Sequence, residues 1–515
     1  MLPTISIFAA LTSGIFLTIA LLGENASLFA WFAVAPLLFA IKDSDFFQSF
    51  KLGFITGIIH FLSCLYWLIY TMDYYGGVPL YQSVGILFLL SAYLALYPAL
   101  FAGFASLFSL KNRFSFLFIP ALWTSLEYVR GFGFSWGIIG YSQAKFLPLI
   151  QISDIFGVYG ISFIIISANY FIYLIYYYTA DKDSTLKKSL FSSCALTAFL
   201  LIFTLLYGVS VIDKTQNKIT DAGKVKIAIV QGNIDQRIKW NKEFFNATTQ
   251  KYIDMSAELK DKKNELIVWP EAALPYFLNS KEHFLNRIKR FIIYMQTDFL
   301  IGAPYSSDED GALYNSAYLI EKNGRSAGRY DKAKLVPFGE YVPFGKWFPF
   351  IRKIAGTGED FARGKKGKTL DWNNHKIGAQ ICFEIIFPNL ARKIVKQDAD
   401  FIINITNDTW FGDTPAPFQH FNMAVFRAIE NKRAIVRCAN TGISGAIYPD
   451  GSITGTTPLF TEALKEYNIP ILVQKTFYTK YGDVFALLCA FISFVCIIYR
   501  IFIRLELKQN KRVTR

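Results

Sequence analysis

Three residues in the C-terminal half are of types that together do acyl chemistry: Glu271, Lys332 and Cys382, 61 and 50 residues apart. A thiol near its ordinary pKa of about 8.5 is mostly protonated at neutral pH, and the thiolate is the nucleophile. A neighbouring carboxylate can take that proton as general base. An ammonium can hold the pair in register and, with a backbone N–H just after the cysteine, stabilise a tetrahedral oxyanion. The reaction class is then acyl transfer through a thioester. On spacing alone the trio is a weak pattern, because each member is as readily a surface charge or a core thiol. The elements around it carry more.

Those elements alternate between strands and helices from Lys224 to about Val473. VKIAIVQGNI (225–234), ELIVWPE (265–271), FLIGAP (299–304), KIGAQIC (376–382) and ADFIINITND (399–408) are apolar and β-branched, as buried strands are. HFLNRIKRFIIYMQ (283–296), FPNLARKIVKQ (387–397) and FQHFNMAVFRAIENK (418–432) have helical spacing. Segments 316–331 and 444–455 read as hairpins turning at Asn323-Gly324 and Asp450-Gly451. Such a mixture predicts sheets covered by helices. Glu271 and Cys382 end two of the strands, and Lys332 follows a hairpin.

The rest of the chain is of another kind. Of 515 residues, 53% are hydrophobic, 18% are charged and 50 are phenylalanine, which excludes a disordered chain. The apolar residues are segregated into runs: 1–23, 29–41, 52–71, 81–110, 114–126, 155–178, 189–212 and 484–503. A bilayer core takes about 20 apolar helical residues, so eight spans are expected, seven before residue 213 and one after 483. Runs 29–41 and 114–126 are short, and are expected to be tilted, re-entrant or extended by their neighbours. The start lacks a basic stretch and a small-residue cleavage site, so it reads as a span rather than a cleaved signal. The domains expected are 1–212, membrane; 213–482, exported; and 483–515, a final span with a basic tail.

Basic residues orient the spans, since short cytoplasmic loops carry the excess. With the N-terminus inside, the cytoplasmic segments hold Lys42, Lys51, Lys111, Arg113, Lys182, Lys187 and Lys188, and the tail adds Arg500, Arg504, Lys508, Lys511, Arg512 and Arg515. The opposite short loops hold Arg130 and Lys145. This places 213–482 outside the cytoplasm. Net charge is +14, of which 213–480 carries +9; that suits anionic headgroups or substrates, or simply a solvated surface. No basic arm or zinc-finger spacing points to nucleic acid. Four of six cysteines lie in apolar runs, and only Cys382 and Cys438 lie in the exported segment. They could form one disulfide, or be one buried and one working thiol. No CxxC pair exists, so no thiolate metal site is expected.

Several blocks occur in a set order: QGNIDQRIKW (231–240), WPE (269–271), YDKAKLVPFGEYVPF (330–344), ICFE (381–384), NDTWFG (407–412) and RAIENKR (427–433). Together they resemble the nitrilase superfamily and, more narrowly, the apolipoprotein N-acyltransferases of bacterial inner membranes. EYVR (127–130), GFSW (133–136) and GYSQ (140–143) are similar to that family's segment before its sixth span. The resemblance covers nearly the whole chain. It implies a multi-pass α-helical membrane domain plus an α/β nitrilase-like αββα sandwich at the periplasmic face of the inner membrane, with cytoplasmic termini. By position it makes Glu271 the general base, Lys332 the catalytic lysine and Cys382 the nucleophile. Glu340 becomes a second supporting carboxylate and Glu384 the acid two after the nucleophile. Trp240, Trp410 and Phe411 become aromatics on mobile loops where the acyl chain enters. The implied donor is a membrane phospholipid, typically phosphatidylethanolamine. The implied acceptor is the α-amino group of a diacylglyceryl-cysteine on an apolipoprotein, acylated by double displacement without metal or cofactor.

Three positions depart from the pattern: Ser135 stands for Pro, Phe383 for Tyr after the nucleophile, and Lys432 for Gly before Arg433. Phe383 keeps its backbone N–H but lacks a phenol hydroxyl. Other residues have plainer readings: Cys438 as a buried inert thiol, His420 as a hydrogen-bonding histidine, and His60 as a neutral histidine facing a neighbouring helix. Glu127 and Arg130 pair with each other or meet a headgroup. WFPF (347–350) reads as core or as an arm dipping into the interface. Two competing functions stand beside acyl transfer: a membrane-tethered amidohydrolase using the same trio, and a transporter or receptor with an exported binding domain. The trio argues against the second, and the spans argue against the first.

Overall fold

The computed structural model describes residues 3–22, 26–108, 114–181, 186–279, 282–343, 345 and 360–513. Lys111, Arg113, Lys182, Arg515 and the WFPF cluster at 347–350 lie outside the described residues. The chain divides into two compact units: residues 1–66, 84–210 and 481–515 form one, and 67–83 with 211–480 the other.

The first unit is helical. Among the described residues, five helices are long and apolar enough to cross a membrane: Thr4–Leu22, Leu80–Ser106, Ser153–Ala180, Lys187–Asp221 and Val484–Ile503. Phe46–Cys64 makes a sixth if it is counted with Trp67–Tyr75. The two runs expected to be short differ from full spans for identifiable reasons. Run 114–126 lies in Ser115–Gly131, a helix of 17 residues with Pro120 inside it. Run 29–41 breaks into Ser27–Trp31 and Ala35–Ala40. A broken helix exposes backbone N–H groups that hydrocarbon cannot satisfy. Here the Asn169 side chain accepts from Val34 N and Ala35 N at 2.7 and 3.1 Å, and donates to Ala30 O at 2.8 Å. Small residues let helices approach closely: a Cβ on Gly57 would sit 2.6 Å from Ala95 Cα, and one on Gly53 2.7 Å from Ala102 Cβ. His60 faces Thr18 of a neighbouring helix, Nδ1 to Oγ1 at 3.2 Å. Arg130 donates to the carbonyls of Trp136 and Gly137, and Glu127 accepts from Ile139 N at 2.9 Å, so both brace the 136–139 loop.

The second unit contains two six-stranded sheets among the described residues. In chain order the strands are β1 Lys224–Gln231, β2 Leu266–Val268, β3 Asp298–Ser306, β4 Leu313–Ile320, β5 Ser326–Asp331, β6 Thr369–Trp372, β7 His375–Ile381, β8 Phe401–Thr406, β9 Ile435–Ala439, β10 Gly445–Ile447, β11 Ile453–Thr454 and β12 Ala463–Pro470. One sheet runs β12-β1-β2-β3-β4-β5 and the other β11-β10-β9-β8-β7-β6. β1, β2 and β3 are parallel, as are β7, β8 and β9, and the flanking pairs are antiparallel.

Side-chain alternation explains the layers. Ile227, Ile229, Val268 and Leu300 of the first sheet share one buried core with Ile377, Ala379, Ile403 and Val436 of the second. The opposite face of the first sheet, with Ala228, Ile267, Phe299 and Ile301, packs under Tyr252, Ile288 and Ile292 of helices Phe245–Ala257 and Glu282–Met295. Strands buried on both faces read as continuous apolar runs. Each buried Ile or Val contributes about 1.5–3 kcal/mol, so the sandwich is a rigid frame. Ligand sites of parallel sheets lie beyond the strands' carboxyl ends. Glu271, Cys382 and Asn407 follow β2, β7 and β8 there.

Both expected hairpins form, with Gly324 and Gly451 at φ 81° and 87°. Lys432 takes φ 48° at the C-terminus of helix Ala416–Asn431, the left-handed position where glycine usually stands. Gly302 of β3 has no room for a side chain. A Cβ there would fall on the Pro270 carbonyl oxygen and 2.8 Å from Glu271 Cα. Gly302→Ala is therefore expected to cost about 1–3 kcal/mol and to displace the Glu271 turn, read as a lower unfolding temperature with reduced activity in the fraction still folded.

Candidate active site

Each of the three chemistry-bearing residues is delivered by a backbone feature of its own. Glu271 lies in a turn just after β2, followed by Ala272 at φ 46°. Cys382 starts a short helix, Cys382–Ile386, directly after β7, at φ 52°. A non-glycine residue costs about 1–2 kcal/mol there, and the reward is a thiol raised on a sharp elbow. Lys332 immediately follows β5, its backbone N–H donating to Asn315 O at 2.9 Å.

The side chains converge in the interior. Lys332 is 1% exposed, and its Nζ donates to Glu271 Oε1 at 3.2 Å and Glu340 Oε1 at 2.9 Å. Asn315 Nδ2 donates to the same two oxygens, both at 2.8 Å. Glu271 Oε2 accepts from the Asn407 backbone N–H at 2.9 Å, and Glu340 Oε2 from Val336 N at 2.8 Å. Burial opposes the charges of Lys332 and Glu271, yet the pairing wins for both. Burial pushes Lys332 down, but Glu271, Glu340 and Cys382 together hold it above the usual lysine range. Burial pushes Glu271 up, but Lys332, Asn315 and Lys239 hold it below the usual carboxylate range. Burial and the Glu271 charge push the Cys382 thiol well up, with Lys332 pulling the other way. At rest the arrangement is an ionised carboxylate, a charged lysine and a protonated thiol. Such a thiol needs a base at the moment of attack.

Glu384 is fully buried and acts as a brace. Its Oε1 accepts from Ala333 N at 2.7 Å and Lys334 N at 3.1 Å, and its Oε2 from Ile381 N at 2.8 Å. Tyr330 donates its hydroxyl to the carboxylate at 2.9 Å. Burial pushes this carboxyl up to about 7 against those donors. The brace ties the backbone around Lys332 to the backbone just before Cys382. From the other side, His420 Nε2 meets the Cys382 carbonyl at 3.2 Å, and Arg437 donates from behind to His420 Nδ1 at 2.9 Å and Asp408 at 2.6 Å. Burial and Arg437 hold His420 below its ordinary range, so it is neutral and donates through Nε2. His420 is thus the hydrogen-bonding histidine that the sequence suggests.

The remaining site candidates lie around this centre. Phe383 packs edge-on against Phe387 at 5.1 Å. Trp240 is 48% exposed at the end of helix Gln236–Lys239. Phe411 stacks edge-on against Trp67 at 4.8 Å and His420 at 5.5 Å, and Trp410 against Tyr75 at 5.6 Å. Segment 67–83, which composition assigned to the membrane half, thus belongs with this unit. Thr71 Oγ1 donates to the Trp410 carbonyl at 2.7 Å. Asn315, Asn407 and Lys239 were missed by sequence reasoning. Asparagines in strands and loops carry no spacing signal, and Lys239 stands one before Trp240 with nothing in its spacing to mark it as buried.

All six cysteines are free; Cys438 is buried, its Sγ against Val268 O at 3.3 Å. Among the described residues no group of three or more His, Cys, Asp or Glu side chains could hold a metal ion.

Comparison with known proteins agrees with both halves. Residues 13–171 match the family model described as the apolipoprotein N-acyltransferase N-terminal domain, and residues 226–474 match carbon-nitrogen hydrolase. An apolipoprotein N-acyltransferase of Geobacter metallireducens is 40% identical over 95% of this chain and 94% of its own length. One of Haemophilus ducreyi is 31% identical over 94% of both, and one of Wigglesworthia glossinidia brevipalpis 32% over 98% and 99%. An amidase from Nesterenkonia sp. superposes with a TM-score of 0.38 at 16% identity, over 48% of this chain and 91% of its own.

Replacing Glu384 by Gln puts an NH2 group where backbone N–H donors point. We expect a loss of about 1–3 kcal/mol, read as a lower unfolding temperature, together with faster maleimide labelling of Cys382 as the elbow loosens.

Proposed function

Because the chain belongs to the apolipoprotein N-acyltransferase family, we propose that it transfers an acyl chain from a membrane phospholipid, phosphatidylethanolamine in the first instance, to the α-amino group of the N-terminal diacylglyceryl-cysteine of apolipoproteins. The reaction runs at the periplasmic face of the inner membrane, with both termini in the cytoplasm, and needs no metal or cofactor. Lysines 42, 51, 187 and 188 and Arg500 support that orientation by their number against Arg130 and Lys145. We assign the membrane domain to 1–212 and 483–515, apart from segment 67–83, which belongs with the catalytic domain 213–482. The observation that carries the reading is the buried Lys332 held between Glu271 and Glu340 beside the Cys382 elbow.

In the first half-reaction Glu271 takes the Cys382 thiol proton as the sulfur attacks the ester carbonyl carbon. Negative charge gathers on the carbonyl oxygen, where the Lys332 ammonium and the Phe383 backbone N–H are the donors. The tetrahedral intermediate collapses, the C–O bond to glycerol breaks, and the leaving oxygen takes the proton from Glu271. Lysophospholipid departs and a thioester remains on Cys382. In the second half the lipoprotein amine attacks that carbonyl, Glu271 takes the amine proton, and the C–S bond breaks. The proton passes to sulfur, and an amide and the free thiol result. Trp240, Trp410 and Phe411 line the approach of the chain, and Glu384 holds the elbow in register.

Incubated with phosphatidylethanolamine, the purified protein is expected to form a hydroxylamine-sensitive acyl adduct, absent from Cys382→Ser and discharged by a diacylated lipopeptide. An adduct lost to water as fast as to the lipopeptide would make this a membrane-tethered amidohydrolase instead. Normal turnover by Cys382→Ala would overturn both readings, since each acts through the Cys382 thioester; a wild type that neither forms an adduct nor turns over would leave a transporter or receptor.

A further inference from the structure

The reaction scheme makes no use of Lys239, yet this lysine is 0% exposed inside the same unit. It ends the helix Gln236–Lys239, whose N-terminus is capped by Asp235 accepting from Arg237 N at 2.9 Å. Its Nζ donates to the backbone carbonyl of Glu271 at 3.1 Å. The same short helix reaches the Glu271 carboxylate by a second route. Gln236 Oε1 accepts from Asn407 Nδ2 at 2.7 Å, and the Asn407 N–H is the donor to Glu271 Oε2. One turn of chain therefore holds both the backbone and the carboxylate of Glu271. An ammonium is not buried without an anion to answer it, and the anionic groups facing Lys239 are Glu271 and, once ionised, Cys382.

We propose that Lys239 is a positioning residue for Glu271: its ammonium pins the 270–272 turn through the Glu271 carbonyl and keeps a second positive charge against the carboxylate. The hydrogen bond acts where the backbone is strained, at Ala272 with φ 46°. The charge acts on the same carboxylate that Lys332 holds. Burial pushes Lys239 itself down to about 8, with Glu271 and Cys382 drawing it back up.

The groups facing Glu271 are Lys332 from the segment after β5, Lys239 from its helix and Cys382 from the elbow, with Glu340 beyond Lys332; Asp408 faces Cys382. The two lysines hold the Glu271 carboxyl below its ordinary range, so acylation keeps its base to low pH. Loss of the Lys239 charge lets the carboxyl rise, and the acid limb of acylation moves to higher pH.

The inference rests on Glu271 being the base that acylates Cys382. The test is single-turnover acylation of Cys382 by the full-length protein in phosphatidylethanolamine vesicles, followed against pH for wild type, Lys239→Arg, Lys239→Gln and Lys239→Met. Lys239→Gln and Lys239→Met are expected to move the acid limb up by about one unit, so that acylation on that limb slows about tenfold. Lys239→Arg keeps the limb where it is. If Lys239→Met does not fold, the Gln and Arg pair decides, since glutamine keeps a donor without the charge. Limbs that superimpose in all the variants overturn the proposal, even where the rate falls, because a merely structural lysine lowers the rate without moving the limb. Failure of the wild type to acylate at all would instead overturn the reading of Cys382.

Discussion

A lysine ammonium buried between two carboxylates is the interaction on which the rest of the α/β unit depends. Removing one partner from such a cluster leaves an uncompensated charge in a dry interior, at about 3–5 kcal/mol. Lys332 avoids that cost by touching Glu271 and Glu340 at once, while Asn315 bridges the same two oxygens. The pairing reverses what burial would do: Glu271 stays ionised and Lys332 stays charged, although both are buried. Lys239 places a second positive charge toward Glu271.

The two sheets supply the rigidity that such a cluster needs. Its members come from the ends of β2, β5 and β7 in different sheets, and small shifts between them would open the ion pairs. Glu384 limits those shifts by taking N–H donors from both Ala333 and Ile381. His420 fixes the Cys382 carbonyl, and Arg437, itself paired with Asp408, fixes His420. These contacts over-determine the elbow, which is how a cysteine stays at φ 52°. Asp408 also begins the short turn carrying Trp410 and Phe411. The hydrogen-bond chain that holds the Cys382 carbonyl thus ends in the turn that carries Trp410 and Phe411.

Much of this was legible in the chain. Runs such as IAIV and FIINI are buried on both faces and so contain little but apolar residues. Asn323-Gly324 and Asp450-Gly451 marked turns because those residues accept left-handed backbone. Glu271 and Cys382 stood out because each ends such a run. What stayed hidden depends on pairing across long separations. β12 carries Lys465, Glu466 and Asn468, and is a strand only because β1 pairs with it. Asn407 reaches Glu271 across 136 residues, and Asn315 reaches it across 44. Residues 67–83 were assigned by composition to the membrane half, since aromatic content reports apolarity and not the partner; Thr71 and Tyr75 pack on Trp410.

On the proposed reading, the charge arrangement around Lys332, and not the thiol alone, makes Cys382 nucleophilic. The most direct measurement is the mass of the Cys382 peptide after one turnover with phosphatidylethanolamine, in wild type and in folded Lys332→Met at the same pH. The expected result is a gain of one acyl chain on the wild-type peptide and an unmodified thiol in the variant. Acylation of the variant at the wild-type rate would contradict it.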